Sequence, residues 1–241
     1  MKNRNVDHII ALINSKFDVV YKGSVAYYIN GIRLSREMTD IDILITKKDV
    51  LNLVELLSEN MHPLNVEFLH INENFQKLVI NKGNKVYCKI DLFITENIMK
   101  TPFIVKAVHK SLNKTYNDQE VFTYSLEKNL VDKYFALFTY RFNLMNKPES
   151  EYKKTVNDIC DIANIFLADD IYMLIIKDKL IKDKEFQSKY FNTYINYTML
   201  ANKNDFKLND YEIKLANISS EIIDDVQKIY NYFEQIVKQN V

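Results

Sequence analysis

The spacing of hydrophobic positions changes about halfway along the chain. In the first half, helical periodicity alternates with short runs in which apolar and polar residues take turns. Residues 6–17 read as a helix, 19–22 as a short strand, 24–30 as a second helix, and 40–46 as a strand. Residues 48–60 crowd Val50, Leu51, Leu53, Val54, Leu56 and Leu57 onto one helical face, with Thr46 or its polar neighbours as the expected cap. Three extended runs follow at 66–71, 75–80 and 85–95, the last two separated by the hairpin signal Asn81-Lys82-Gly83-Asn84. From about Val121 the helical period takes over, and residues 126–143, 149–168, 171–180, 185–201 and 219–239 all read as helices.

This change of period predicts a mixed α/β (α+β) protein of two domains. Residues 1–120 would form a mixed sheet with packed helices and residues 121–241 a helical bundle, with 99–120 joining the halves. A chain of 241 residues is long enough for one sizeable core or two smaller ones. Only 3 Gly and 3 Pro argue against a turn-rich all-β fold.

Charge narrows the partners. With 32 basic and 32 acidic residues the net charge is zero, so no global field draws the chain to nucleic acid or to an acidic membrane. The best local basic cluster is Lys177, Lys179, Lys182 and Lys184, which reads first as a solvated helix face. Cys88 and Cys160 make neither a disulfide framework nor a zinc motif and read as ordinary buried thiols. No secretory-type leader and no apolar run near the roughly 18 residues of a membrane span is present, so a cytoplasmic location away from membranes is expected. His8, His62, His70 and His109 have neither metal-ligand spacing nor a nucleophile partner, and are assigned no role. Tyr27, Tyr28, Tyr134 and Tyr140 are candidates for stacking on a base, although most aromatic residues should be core.

The chemistry concentrates in residues 23–45. If Asp40-Ile41-Asp42-Ile43 is extended, both carboxylates project from one side, roughly 7 Å apart at the backbone, while Ile41 and Ile43 point inward. Asp91 lies on another apolar strand, where an ionised carboxylate is costly to bury without a partner. The three together suit a pair of Mg²⁺ ions of the kind that activates a hydroxyl and steadies a leaving pyrophosphate. Gly23-Ser24, opening a helix, suits phosphate: Gly23 permits close backbone approach, Ser24 adds a hydroxyl, and the first helical amides face the anion. Taken singly, each piece has a plainer explanation: Asp40 as a cap or amide acceptor, Gly23 as a turn residue, Asp91 paired with Lys89 at a strand edge.

A Gly-Ser turn, then Asp-x-Asp, then one later Asp resembles the nucleotidyltransferases of the polymerase β superfamily. Gly23-Ser24-Val25-Ala26, and Arg36 shortly before Asp40-Ile41-Asp42, are similar to the opening of the AbiEii/AbiGii toxin family within it. The segments around Leu126–Leu137 and 157–162 resemble that family's helical Lys and Asp motifs, with Asn157 in place of a basic residue and Met38 in place of Ser or Thr. The resemblance implies a nucleotidyltransferase fold for residues 1–120 with a helical domain behind it. It also implies that Asp40, Asp42 and Asp91 bind metal, that Gly23, Ser24, Arg36 and Lys133 hold the nucleotide, and that Asp158 sits at the site's edge, with Asp161 and Arg141 as secondary candidates. Lys133 has weak independent support, since its apolar neighbours would let an ammonium meet a triphosphate beside low-polarity surface.

The expected activity is Mg²⁺-dependent transfer of a nucleoside monophosphate from NTP to an acceptor hydroxyl. By the resemblance, the acceptor is RNA, in particular a tRNA end, and the setting is a toxin neutralised by an antitoxin protein. A protein or small-molecule acceptor, a module that binds NTP without turnover, and a helical interaction protein are the alternatives.

Overall fold

The computed structural model describes residues 4–32, 38, 40–110, 117–133, 161, 171–191, 224, 228 and 231. Arg36, Arg141 and Asp158, together with Tyr134 and Tyr140, lie outside the described residues. The chain divides into two compact units, Met1–Asn129 and Leu130–Val241.

The first unit is a mixed α/β structure. Its elements are α1 (Arg4–Asn14), β1 (Val20–Lys22), α2 (Gly23–Ile29), β2 (Asp40–Thr46), α3 (Val50–Asn60), β3 (Asn65–Asn72), β4 (Phe75–Lys82), β5 (Lys85–Thr95), β6 (Ile104–His109) and β7 (Gln119–Tyr124), followed by the start of a helix at residue 126, here α4 (126–133). The strands form one sheet in the order β3-β4-β5-β2-β1-β7-β6. The pairs β2/β5 and β1/β7 are parallel and the rest antiparallel.

Alternation along β2 sets the orientation of the sheet. Ile41, Ile43 and Ile45 are fully buried and join Ile90 and Leu92 of β5, Leu78 and Ile80 of β4, and the apolar stripes of α1, α2 and α3 in one core. The opposite face carries a smaller cluster of Val20, Leu44, Tyr124 and Ile98, against which Phe93, Ile104 and Phe122 pack. Asp40 and Asp42, in phase with Leu44, belong to that second face.

Several local expectations need correction. The α3 face is narrower than its run of apolar residues suggested: Val50, Leu53 and Leu57 are buried, whereas Leu51 is 68% exposed. Thr46 does not cap a backbone amide, because its hydroxyl donates to the Asp49 carboxylate across a turn of 3-10 helix at Lys47–Asp49. Residues 99–120 are not merely a connection, since they supply β6 and the start of β7. The hairpin between β4 and β5 closes through Gly83, whose φ of +58° is the left-handed conformation such a two-residue turn requires. Tyr27 is fully buried and Tyr28 is held by α1, so both serve the core and not a base.

His109 takes a structural position, as expected of a histidine without a nucleophile partner. It closes β6 against α1, with Nε2 donating to Asp7 Oδ1 at 3.0 Å, both side chains 1% exposed, and Tyr28 Oη donating to the same oxygen at 3.3 Å. Burial pushes the His109 pKa below the ordinary histidine value and outweighs the opposing pull of Asp7, while the Tyr28 phenol is raised to about 12, first by burial and then by Asp7. The unfolded chain, with His109 at its ordinary value near 6.5, therefore binds the proton more readily than the folded one. Stability should fall as pH drops below about 6.5 toward the lower folded value, and His109→Gln should flatten that slope. Urea midpoints across this range measure it.

In the second unit every described residue except Asp183 is helical, including α5 (Ile171–Lys182) and α6 (Lys184–Phe191). Asp183 separates them and caps α6, its Oδ1 accepting from the amides of Glu185 and Phe186 at 3.0 Å each. Among the described residues no helix is long and apolar enough to cross a membrane.

Candidate functional site

The acidic residues meet on the sheet face opposite the helices. In the parallel β2/β5 ladder Asp42 is the register partner of Asp91, so their side chains stand next to each other about 4.8 Å apart at the backbone. Asp40, two residues earlier on the same face, is exposed and partners Lys89. On its other side Asp42 faces Lys22 of β1, and beyond Asp91 lies Lys77 of β4. Lys22, Asp42, Asp91 and Lys77 thus make one rung across four adjacent strands, cation, acid, acid, cation.

The next rung is apolar, with Val20, Leu44, Phe93 and Phe75 in register. It supports the two lysines. Lys22 Nζ lies 3.6 Å from the centroid of the Phe93 ring, and Phe93 packs on Phe75 at 5.2 Å. Lys77 Nζ is 3.1 Å from Asp91 Oδ1. The partner of Asp91 is therefore Lys77 across the ladder, not Lys89 along its own strand, and β5 is an interior strand.

Gly23 joins the Gly-Ser turn to the acids. Its φ is +61°, and a Cβ at this position would fall on Asp42 Oδ2 and only 3.3 Å from Asp42 Cγ. Its amide donates to Asn129 Oδ1 at 2.8 Å, while Asn129 Nδ2 donates to the carbonyls of Tyr124 and Ser125. Asn129 is fully buried on α4 and fastens the turn before α2 to the end of β7. The Gly23 amide is thus already engaged by Asn129. Ser24 follows in the first turn of α2 and is 9% exposed.

Gly23→Ala should lose about 1–2 kcal/mol from the left-handed backbone alone, with further loss as the methyl displaces the Asp42 carboxylate. The check is a urea unfolding curve of the variant beside wild type.

Asp40, Asp42 and Asp91 are hard oxygen donors on one face, which suits Mg²⁺ chemically. Among the described residues no three or more His, Cys, Asp or Glu side chains, these three included, are gathered closely enough to hold a metal ion as they stand. Cys88, on β5 in the helix-covered core, is unsuited to nucleophilic work: burial, with the charge of Asp40 adding to it, pushes its thiol up to about 12.

Lys133 belongs to the second unit. There its Nζ donates to Asp161 Oδ2 at 2.8 Å, with side chains 9% and 0% exposed. In the cluster on α5, Lys182 pairs with Asp178 one turn away and Lys179 lies over the Phe186 ring, as on a solvated helix face. Sequence reasoning missed Lys22, Lys77 and Asn129. Lys22 directly precedes the Gly-Ser turn, a local signal, whereas the other two are joined to the site only by strand pairing and chain return.

No protein-family model and no curated protein matches the chain. Among solved structures it is similar to the crystal structure of JHP933 from Helicobacter pylori, at 14% sequence identity, covering 99% of this chain and 92% of that one, with a TM-score of 0.47.

Proposed function

We propose that the first unit is the catalytic half of a Mg²⁺-dependent nucleotidyltransferase, transferring a nucleoside monophosphate from NTP to an acceptor hydroxyl. The observation that carries this reading is the register of Asp42 beside Asp91, with Asp40 on the same face and the Gly23 turn packed on the Asp42 carboxylate. Asp40, Asp42 and Asp91 would hold two Mg²⁺ ions, which when bound supply Lewis acidity at the α-phosphate and charge neutralisation for the departing pyrophosphate. Asp91 orients the acceptor hydroxyl, whose oxygen forms the new bond to the α-phosphorus as the bond to the pyrophosphate oxygen breaks. The hydroxyl proton passes to a carboxylate or to water. Ser24, with Arg36 by family resemblance, would contact phosphates. The acceptor is RNA, foremost a tRNA end, and the setting a toxin held in check by an antitoxin protein; both rest on the same resemblance.

One observation favours a second reading. Lys77 already engages Asp91, as it would in a domain that binds NTP without turnover or serves protein contacts. Incubation with each labelled NTP, Mg²⁺ and total tRNA separates the two. Label transfer that disappears in Asp40→Ala supports the enzyme, and NTP binding without transfer to tRNA, protein or small-molecule acceptors supports the module.

A further inference from the structure

We propose that Lys77 is a built-in counter-cation of the acidic rung, which a divalent ion must displace from Asp91 in order to bind there. This rests on the reading of Asp40, Asp42 and Asp91 as metal ligands, and adds a control element on β4 that the motif itself does not contain.

Three observations carry it. Lys77 stands directly across the antiparallel ladder from Asp91, so its ammonium reaches the carboxylate by strand pairing and not by a chance surface encounter. The side chains of the pair are 29% and 24% exposed, which leaves a route for an ion while limiting the water that would otherwise screen the contact. Asp91 Oδ1, 3.1 Å from Nζ, is shielded from solvent and makes no hydrogen bond, so the ammonium is held there by charge without a directed bond. An ion of twice the charge that prefers oxygen ligands competes for that same oxygen.

The displaced ammonium has somewhere to go. Phe75 lies two residues before Lys77 on the same face, its ring centroid 5.7 Å from Nζ, and it is packed against Phe93. Lys22 already rests over Phe93 at the other end of the rung. An aromatic face stabilises an ammonium that has left its carboxylate, which lowers the cost of withdrawing Lys77 from Asp91. Two lysines thus flank two adjacent acids and offset the repulsion that the β2/β5 register imposes. Binding of a divalent ion becomes an exchange of cations.

The test is Mn²⁺ binding to the full chain, followed by electron paramagnetic resonance and by calorimetry, with and without NTP. Lys77→Met, which keeps the apolar stem and removes the charge, should bind Mn²⁺ roughly tenfold tighter than wild type, and Lys77→Arg should not. The gain should vanish when Asp91→Asn is added, an outcome that a merely structural role for Lys77 would not produce. Should Lys77→Met fail to fold, Lys77→Gln provides the same comparison. Mn²⁺ binding that is unchanged or weakened in Lys77→Met overturns the role of Lys77 while the metal site stands. Absence of Mn²⁺ binding in both wild type and Lys77→Met, with NTP present, overturns the metal site and the exchange together.

Discussion

Asp42→Asn should abolish nucleotide transfer while leaving the chain folded. Asp42 is central to the rung: it has Asp91 on one side, Lys22 on the other, and the Gly23 turn against its carboxylate. The amide has nearly the same shape, so the close approach of Gly23 survives, and loss of one of two adjacent negative charges relieves repulsion as it weakens the attraction to Lys22. Stability should change little. On the proposed function transfer should be lost, because the substitution removes the negative charge with which Asp42 would hold Mg²⁺. Metal-supplied transition-state stabilisation of several kcal/mol corresponds to a rate loss on the order of a thousandfold or more. Label transfer from NTP under single-turnover conditions, beside a thermal melt of each protein, measures both halves. Transfer at the wild-type rate would remove Asp42 from the mechanism.

The largest effect on stability is expected in the second unit, from Asp161→Ala. Lys133 Nζ lies 2.8 Å from the Asp161 carboxylate and both side chains are buried. Taking away the carboxylate leaves a buried ammonium without this counter-charge, and breaking such a pair from one side costs about 3–5 kcal/mol. Replacing both residues by apolar ones of similar size, as in Lys133→Met with Asp161→Leu, should recover most of the loss, since the desolvation of both charges is then avoided. Urea denaturation of the two single variants and the double variant gives the coupling directly. A single variant as stable as wild type would show that the pair contributes nothing.

The elements that were legible in the sequence are those with a strong local signal. The strand at Asp40–Thr46 and the long strand at Lys85–Thr95 have the bounds that alternation predicts, and the hairpin turn between β4 and β5 carries the glycine that its geometry requires. β6 was not legible, because as an edge strand it leaves Val105 and Val108 exposed and buries His109, so its residues show no alternation to read. Leu51 misled for a related reason: periodicity assigns a residue to a stripe but does not say how wide a stripe the sheet will cover.

The candidate site divides in the same way. That Asp40 and Asp42 share a side of one strand, and that glycine stands before the helix, follows from the sequence alone, because side-chain alternation and backbone steric limits act between near neighbours. That Asp91 stands beside Asp42, that Lys77 reaches Asp91 from a third strand, and that Asn129 returns from more than a hundred residues away to hold the Gly23 amide was decided only by the tertiary structure. The sheet's register and the chain's return set these pairings, and burial of the isoleucine face against α1, α2 and α3 selects that register, because a slip of one residue would turn the same isoleucines toward solvent.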